Sequence, residues 1–431
     1  MLRTRAVRWG LVCVAALLTG LIWRWVDSDA SGSPLIWAGL IWIGVLSVLA
    51  WQSVVPWRRT LLLSMAAVVA SLVVAEAKLW LVYWRIDRQM LSRSGFNQIT
   101  RDARNNWHSI FIKDGPLGQH PPAGISIEDA AMMGKATVFD VHYTFDQNDL
   151  RISPPVNSTT SGCVLFFGDS FAFGWGVPDQ DTASYQLGLM SGGSLEVYNF
   201  AFSEYGAHTM LALLQDGTVR KIAQCPAGKP VYAIAQILPD YIWRAVSTDM
   251  HGPRYILRNG TVMRRGSQGD GDYIAHDSIY ISPPLFSILR KVHLYRDTIG
   301  EERFPDPFDT QRFVAIVLES RKEIQMEFPG AKFVVSVWDD FFPSPMLSPM
   351  FMERRAVEAA LNRAGIETLS IERILPGYDQ NPFKYCIPHE WHPNAAAHHR
   401  FAAYLFDHFI NSPPTEFVGS SVAGQAAYHD R

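Results

Sequence analysis

The chain has 431 residues, 48% of them hydrophobic, and a formal net charge of -3 at pH 7. The length allows a domain plus an anchor, while the scattered lysines and arginines offer no basic stripe for a nucleic-acid partner. Four cysteines (Cys13, Cys163, Cys225, Cys386) are too few for a disulfide scaffold; Cys225 and Cys386 are a candidate bridge in an oxidising compartment, the alternative being unpaired small hydrophobes.

Three apolar runs come first, Trp9 to Val26, Leu35 to Val55 and Leu61 to Trp84. Each is near the twenty or so residues that a bilayer core requires of a helix, so residues 1–84 are read as a three-helix membrane anchor. Arg3, Arg5 and Arg8 precede the first run, Asp27 and Asp29 follow it, and Arg58 and Arg59 occupy the second turn. The excess of base on one side puts the first residues and the second turn in the cytoplasm and everything after Trp84 outside. Arg85, Arg88 and Arg93 lie on the side that should be poor in base, which a long translocated domain tolerates. Glu76 and Lys78 interrupt the third run; the reading preferred is that they sit near the outer interface and snorkel, and the alternative is an intramembrane contact.

Residues 85–135 are polar and carry Gly-Pro pieces, and are read as a linker with some helix. From Ala136 to Ser153 the alternation of Val138, Val141, Tyr143 and Phe145 predicts a short β pair. Apolar runs then alternate with helical patterns. Cys163 to Phe167, Leu195 to Phe200, Val231 to Leu238, Lys332 to Trp338 and Glu367 to Ile371 read as strands. Thr182 to Met190, His208 to Gln224, Arg312 to Phe328, Met352 to Ala364 and Asn394 to Ile410 read as helices. Such alternation predicts an α/β domain with a parallel sheet covered on both faces, spanning 136–411. Residues 247–306 break the rhythm and are read as an insertion near the open end of the sheet, with a hairpin turn at Asn259-Gly260; residues 412–431 are a tail.

Two stretches carry chemistry. The run Val164-Leu-Phe-Phe-Gly168-Asp169-Ser170-Phe171 puts a serine just past a strand's carboxyl end, where α/β sheets bind ligands. It is not the Gly-x-Ser-x-Gly elbow, since Ala172 stands two residues after Ser170; Asp and Ser also suit an ordinary turn there. The second stretch, Pro388-His389-Glu390-Trp391-His392-Pro393-Asn394, stands just before the last helix. A histidine there is suited to take a serine's proton and return it. His389 and His392 are three apart with a proline next, which does not supply the four-residue spacing of a zinc helix, so no metal is expected.

Gly168-Asp-Ser-Phe-Ala-Phe-Gly174-Trp-Gly176-Val177 resembles the first block of the SGNH (GDSL-like) hydrolases, in its membrane-attached envelope branch, with phenylalanine in place of leucine. His392-Pro393-Asn394 resembles the family's last block, and Val197-Tyr198-Asn199 through Gly206 resembles its second. The resemblance implies a three-layer flavodoxin-like fold, Ser170 as nucleophile, His392 as general base, and the Ser170 and Gly206 N–H groups as oxyanion donors, with no cofactor. The family usually has aspartate two or three residues before the histidine. Here Glu390 is the candidate, and a Ser170–His392 dyad the alternative. Where the third block should bring an asparagine, the chain reads Gln236-Ile-Leu-Pro239-Asp240-Tyr241-Ile-Trp-Arg244. Asp169, Asn199, Asp240, Arg244 and Trp391 are further candidates for substrate contact, and Trp175, Tyr205, Tyr241, Trp243, Trp338 and Trp391 for stacking on sugar rings, some of these aromatics being core instead.

The expectation is thus a hydrolase or O-acyltransferase at a bacterial inner membrane, acting on acyl esters of an envelope glycan or a small ester. As a transferase it would work with a separate membrane acyl donor. The alternative is a glycan-binding or assembly protein that kept the fold and lost turnover, favoured by the departures in the third block and at Glu390.

Overall fold

The computed structural model describes residues 2–25, 33–93, 99–101, 110–112, 117–157, 159–245, 252–268, 270–300, 305–339, 354–390 and 392–411. In chain order, α1 (Leu2–Trp25), α2 (Pro34–Trp51) and α3 (Pro56–Arg93) come first. β1 (Ile99–Arg101), β2 (Ser126–Met133), β3 (Ala136–Thr144), β4 (Gly162–Phe167), α4 (Ser170–Phe173), α5 (Ala183–Met190) and β5 (Leu195–Asn199) follow. Next are α6 (Ala207–Gln215), α7 (Thr218–Ile222), β6 (Val231–Ile237) and α8 (Tyr241–Arg244). Two ribbons, β7 (Pro253–Arg258) with β8 (Thr261–Ser267) and β9 (Asp272–Ile274) with β10 (Ile279–Ile281), precede α9 (Pro283–Leu289) and α10 (His293–Thr298). The remaining elements are α11 (Pro307–Glu327), β11 (Lys332–Val337), α12 (Arg354–Arg363), β12 (Thr368–Ser370), α13 (Ile371–Ile374) and α14 (Ala395–Leu405). They form two compact units. Among the described residues, one comprises those up to 93 and those of 242–309, and the other those of 99–241, 310–339 and 354–411.

The second unit is an α/β fold around a parallel sheet in the order β12-β11-β6-β4-β5. Its strands are the five apolar runs expected from sequence. Every residue of β4 and β6 is buried, as befits strands covered on both faces. Counting only these five strands in chain order, the sheet runs 2-1-3-4-5, the flavodoxin-like order, with its switch point between β4 and β6. Neighbouring connections diverge there and leave a crevice at the strands' carboxyl ends. Ser170 begins α4 three residues beyond β4, at that crevice.

Several expectations are corrected here. Residues 126–133, read as linker, are strand β2; it pairs antiparallel with β3 through a tight turn at Gly134, where φ is +62°, and β1 pairs with β2 in turn. Glu128 and Asp129 hide the strand's alternation. Asp129 is nonetheless fully buried, accepting a hydrogen bond from the Tyr143 hydroxyl at 3.1 Å. Burial, with Asp129 beside it, pushes the Tyr143 pKa well above its ordinary value, so the phenol stays a donor. The helix expected over 208–224 is broken into α6 and α7 by Gly217, whose φ is +69°. Cys225 bonds to Cys163, 62 residues away, and Cys386 is free and buried. Register decides this: Cys163 pairs with Val231 across β4 and β6, which brings it to the segment entering β6.

A buried arginine organises the turn after the nucleophile. Arg151 Nε donates to Asp179 Oδ1 at 2.8 Å, Nη1 to the carbonyls of Phe173 (2.8 Å) and Gly174 (2.5 Å), and Nη2 to that of Val177 (2.6 Å). Its guanidinium lies 4.8 Å from the ring centroids of both Tyr143 and Phe173. Asp179 also accepts from Thr144 N, and Gly176 N donates to the Tyr143 hydroxyl. β3 and Arg151 thus hold residues 173–179 from outside the central sheet. Gly174 cannot be replaced cheaply, since its φ is +85° and a Cβ would fall 2.7 Å from Thr182 Cγ2.

In the first unit α2 and α3 each contain a stretch long and apolar enough to cross a membrane, Pro34–Trp51 and Pro56–Val82, and α1 contributes the shorter Val7–Trp23. The segment read as an insertion belongs to this unit. Its ribbon β7–β8 closes at Asn259-Gly260, both with positive φ as the expected hairpin turn requires. Phe286, Val292 and Tyr295 form an apolar cluster with Trp23, Leu35, Ile274, Ile281, Leu289 and Leu294. Glu76 does not snorkel. It is fully buried, and its carboxylate accepts the N–H of Leu294, near the start of α10, at 2.6 Å, which is favourable because that end of a helix has unsatisfied donors.

Two outcomes follow for stability. Arg151→Met leaves a buried carboxylate and three carbonyls without their donor and is expected to cost about 3–5 kcal/mol. Arg151→Lys does not recover it, because an ammonium cannot fork to acceptors so spread. Thermal unfolding of the purified full chain measures both. Opening Cys163–Cys225 with reductant is expected to lower the unfolding free energy by about 4 kcal/mol on the loop-entropy account, read as a shifted midpoint in the same assay that a Cys163→Ser/Cys225→Ser variant no longer shows.

Candidate active site

The nucleophile's position is set by a close backbone approach. At Gly168 φ is +158°, and a Cβ there would fall 2.6 Å from Ala172 Cβ and 2.8 Å from the Gln236 carbonyl oxygen, so only glycine lets the chain turn from β4 against β6 at this point. Asp169 then caps α4, its carboxylate accepting the Phe171 N–H at 2.9 Å. Asp169 is fully buried. That corrects its reading as a substrate contact; it shapes the turn that presents Ser170.

The base comes from the far end of the sequence. Ile387 N donates to the His392 carbonyl at 2.8 Å, and Glu390 N to the Ile387 carbonyl at 3.1 Å. This closes a tight loop, in which His389 takes a left-handed φ of +69°. Asn394 secures it. Its Nδ2 donates to the carbonyls of Lys384 and Cys386, both at 3.0 Å, and its Oδ1 accepts the Ala397 N–H as the cap of α14. One side chain therefore ties the base-bearing loop to the last helix.

These two constructions meet. His392 Nε2 lies 2.8 Å from Ser170 Oγ, and His392 Nδ1 lies 2.7 Å from Glu390 Oε2. Glu390 also accepts the His392 backbone N–H at 3.3 Å. With the Nδ1 proton directed at the carboxylate, Nε2 is the acceptor facing the serine hydroxyl. Phe171 lies edge-on to the imidazole at 5.3 Å between ring centroids, and Trp175 lies at 6.2 Å. Burial by itself lowers the His392 pKa. The Glu390 carboxylate, its hydrogen bond and Asp169 outweigh that, and the net pKa stands above the ordinary histidine value. His398, six residues on, is also buried, and there burial pushes the pKa down to about 3.

The other candidates fare differently. Asn199 is buried, donating through Nδ2 to the Ala172 carbonyl and Ser184 Oγ, both at 3.1 Å, and accepting from Ala201 N through Oδ1. It braces the nucleophile turn, so its reading as a substrate contact is corrected. Gly206 N donates to Thr209 Oγ1 over a long 3.5 Å as the cap of α6. Asp240 is buried immediately before α8. Arg244 belongs to the other unit, where its carbonyl accepts from Gln268 Nε2 at 2.8 Å. Trp391 lies outside the described residues. Trp175, Tyr205, Tyr241 and Trp338 are at most 6% exposed, which corrects their reading as sugar platforms. Gln236, opposite Gly168 at the end of β6, buries a side-chain amide that makes no hydrogen bond among the described residues.

Sequence reasoning overlooked Arg151, Tyr143 and the capping role of Asn394. Only Asn394 left a local signal, an asparagine directly before an alanine-rich helical run.

No family model and no curated protein matches the chain. Among solved structures it is similar to a member of the lipolytic G-D-S-L family from Veillonella parvula, at 10% identity over 58% of this chain and 99% of that one, with a TM-score of 0.35. It is similar also to the psychrotrophic esterase EstA from a Pseudoalteromonas species, at 12% identity over 57% and 94% of the two chains, with a TM-score of 0.31. A third is the acetylxylan esterase Axe2 from Geobacillus stearothermophilus, at 12% identity over 57% and 94%, with a TM-score of 0.32.

Proposed function

We propose that this chain is a serine-dependent acyl-ester hydrolase of the SGNH type, held at a bacterial plasma membrane with its α/β unit outside the cytoplasm. The reading is carried by the unbroken series Ser170 Oγ, His392 and Glu390, with contacts of 2.8 and 2.7 Å. His392 takes the hydroxyl proton as Ser170 Oγ attacks the ester carbonyl. The imidazolium so formed is stabilised by Glu390, then gives the proton to the departing alcohol oxygen as the ester C–O bond breaks. Water attacks the resulting acyl-serine by the same base in reverse, releasing the carboxylic acid. The backbone N–H groups of Ser170 and Gly206 are the proposed oxyanion donors, each worth about 3–4 kcal/mol in reactions of this kind. The Gly206 bond to Thr209 is long enough for a developing oxyanion to replace it.

The Cys163–Cys225 bridge supports an oxidising compartment, and so the outward orientation that the arginines near the first run and at the second turn favour. An acylated cell-envelope glycan is the substrate proposed for an esterase so placed. A sugar hydroxyl in place of water would make the same acyl-serine an O-acyltransferase intermediate.

The test is hydrolysis of p-nitrophenyl acetate and of acetylated polysaccharide by the full chain in detergent. Ser170→Ala and His392→Ala are each expected to lower kcat/KM by about a thousand-fold or more, and Glu390→Gln by roughly a hundred-fold or more. Wild type and Ser170→Ala equally inert, with no labelling of Ser170 by a sulfonyl fluoride, would replace this reading with the glycan-binding one. The pH profile adds a signed outcome. Neutral His392 is the base, so kcat/KM rises with pH through the free enzyme's His392 pKa, and its midpoint is expected above the ordinary histidine value near 6.5. Glu390→Gln removes the attraction that raises this pKa, so the residual activity is expected to show its midpoint at lower pH.

A further inference from the structure

The helical piece of the first unit meets the apolar helices at one level. Trp23 ends the apolar stretch of α1, and its indole N–H donates to the Ile288 carbonyl at 3.1 Å. Lys291 Nζ donates to the Trp23 carbonyl at 2.6 Å, and Ser33 Oγ, at the cap of α2, donates to the Lys291 carbonyl at 3.4 Å. On α3, Glu76 receives the Leu294 N–H. Twenty residues separate Pro56 from Glu76, a rise of about 30 Å at 1.5 Å per residue, which is the thickness of a hydrocarbon core. Trp23 and Ser33 thus mark the level at which α1 and α2 leave the apolar layer, and Glu76 stands at that level on α3, six residues before its apolar stretch ends at Val82.

At that level the segment exposes apolar side chains. α9 turns Phe286 and Leu289 into the shared cluster and leaves Leu285 and Ile288, one turn apart, 47% and 45% exposed. Ile279 and Ile299 are 50% and 52% exposed. Such residues scattered over a water-facing surface need no explanation. Here the backbone of Ile288 is bonded to a tryptophan at the end of an apolar helix, so its side chain stands at the depth of that helix end. A tryptophan with its N–H on a partner is characteristic of the membrane–water boundary.

We propose that residues 279–299 form an interfacial foot, lying in the headgroup and upper acyl region of the same bilayer that α1–α3 cross. This rests on the membrane-anchored reading above. The partner is the lipid surface itself, which accepts the Leu285, Ile279 and Ile288 side chains while Lys291 keeps its ammonium on the helix-end carbonyl. The foot, together with the buried Glu76 contact, makes the outward end of the anchor a wide platform rather than three bare helix ends.

The test uses the full chain in nanodiscs, in a Cys13→Ala background because Cys13 is exposed whereas Cys386 is buried. Single cysteines at Leu285→Cys and Ile288→Cys carry a bimane fluorophore, with Val68→Cys near the middle of the apolar stretch of α3 and Lys229→Cys in an exposed turn of the other unit as references. Leu285→Cys and Ile288→Cys are expected to lose most of their fluorescence to lipids with a nitroxide high on the acyl chain and little to iodide. Quenching of both by iodide, or by neither agent as for a surface covered by another protein, overturns the proposal. Val68→Cys keeps the two readings apart: quenching by a deep nitroxide shows the helices spanning even when the foot fails, and its absence removes the anchor itself.

Discussion

The bond between His392 Nε2 and Ser170 Oγ joins residues 222 apart in the chain, and the α/β unit is organised to make that contact reproducible. Neither side chain could hold it alone. Serine sits on a one-turn helix, and histidine on a loop closed by two backbone bonds and the Asn394 side chain. The parallel sheet supplies the common frame, because the switch point between β4 and β6 opens a crevice into which both can be delivered. Gly168 lets β4 turn sharply enough against β6 to use it, and Asp169 fixes the direction of the turn. The buried groups around the serine are thus spent on position, which the proposed chemistry requires to within fractions of an ångström.

Support for the turn comes from two directions of unequal strength. On one side, Asn199 binds the Ala172 carbonyl from β5 with neutral hydrogen bonds. On the other, Arg151 commits a whole guanidinium to Asp179 and three carbonyls, under the rings of Tyr143 and Phe173. A buried charge is costly unless nearly every donor is used, and Arg151 uses most of its donors on backbone between residues 173 and 177. Trp175, which flanks His392, lies within this clamp. The antiparallel β1–β3 sheet, outside the parallel one, thereby reaches the base through the Tyr143–Gly176 bond. Rigidity at the histidine is consequently tied to residues with no chemical part in acyl transfer.

The first unit follows the same rule. Glu76 interrupts an apolar helix at a cost that directed partners relieve, and the N–H of Leu294 is one. Its carboxylate, with Lys291 and Ser33, makes the helical segment of 283–298 part of the helix ends.

Much was legible in sequence. Strands covered on both faces must be short continuous apolar runs, so β4, β6 and β11 each left a local trace, and the edge strands β5 and β12 followed from the alternation of strands with helices. A serine at the end of the first and a histidine before the last helix were readable because each stands in a short local block, Gly168-Asp169-Ser170 after an apolar strand and His392-Pro393-Asn394 before a helix. The three apolar runs were readable because length and composition are plain in the sequence, and α1, α2 and α3 follow them. Tertiary structure alone decided the rest. β2 carries acids and so lost its alternation until Tyr143 satisfied Asp129. The partner of Cys225 depended on which strand lies beside β4, which no spacing encodes. Asp169 and Asn199 are polar residues near a serine, and only their burial distinguishes bracing the turn from touching substrate. Local periodicity records what a residue's neighbours in the chain require, whereas the pairing of distant groups is set by which surfaces the sheet order brings into contact.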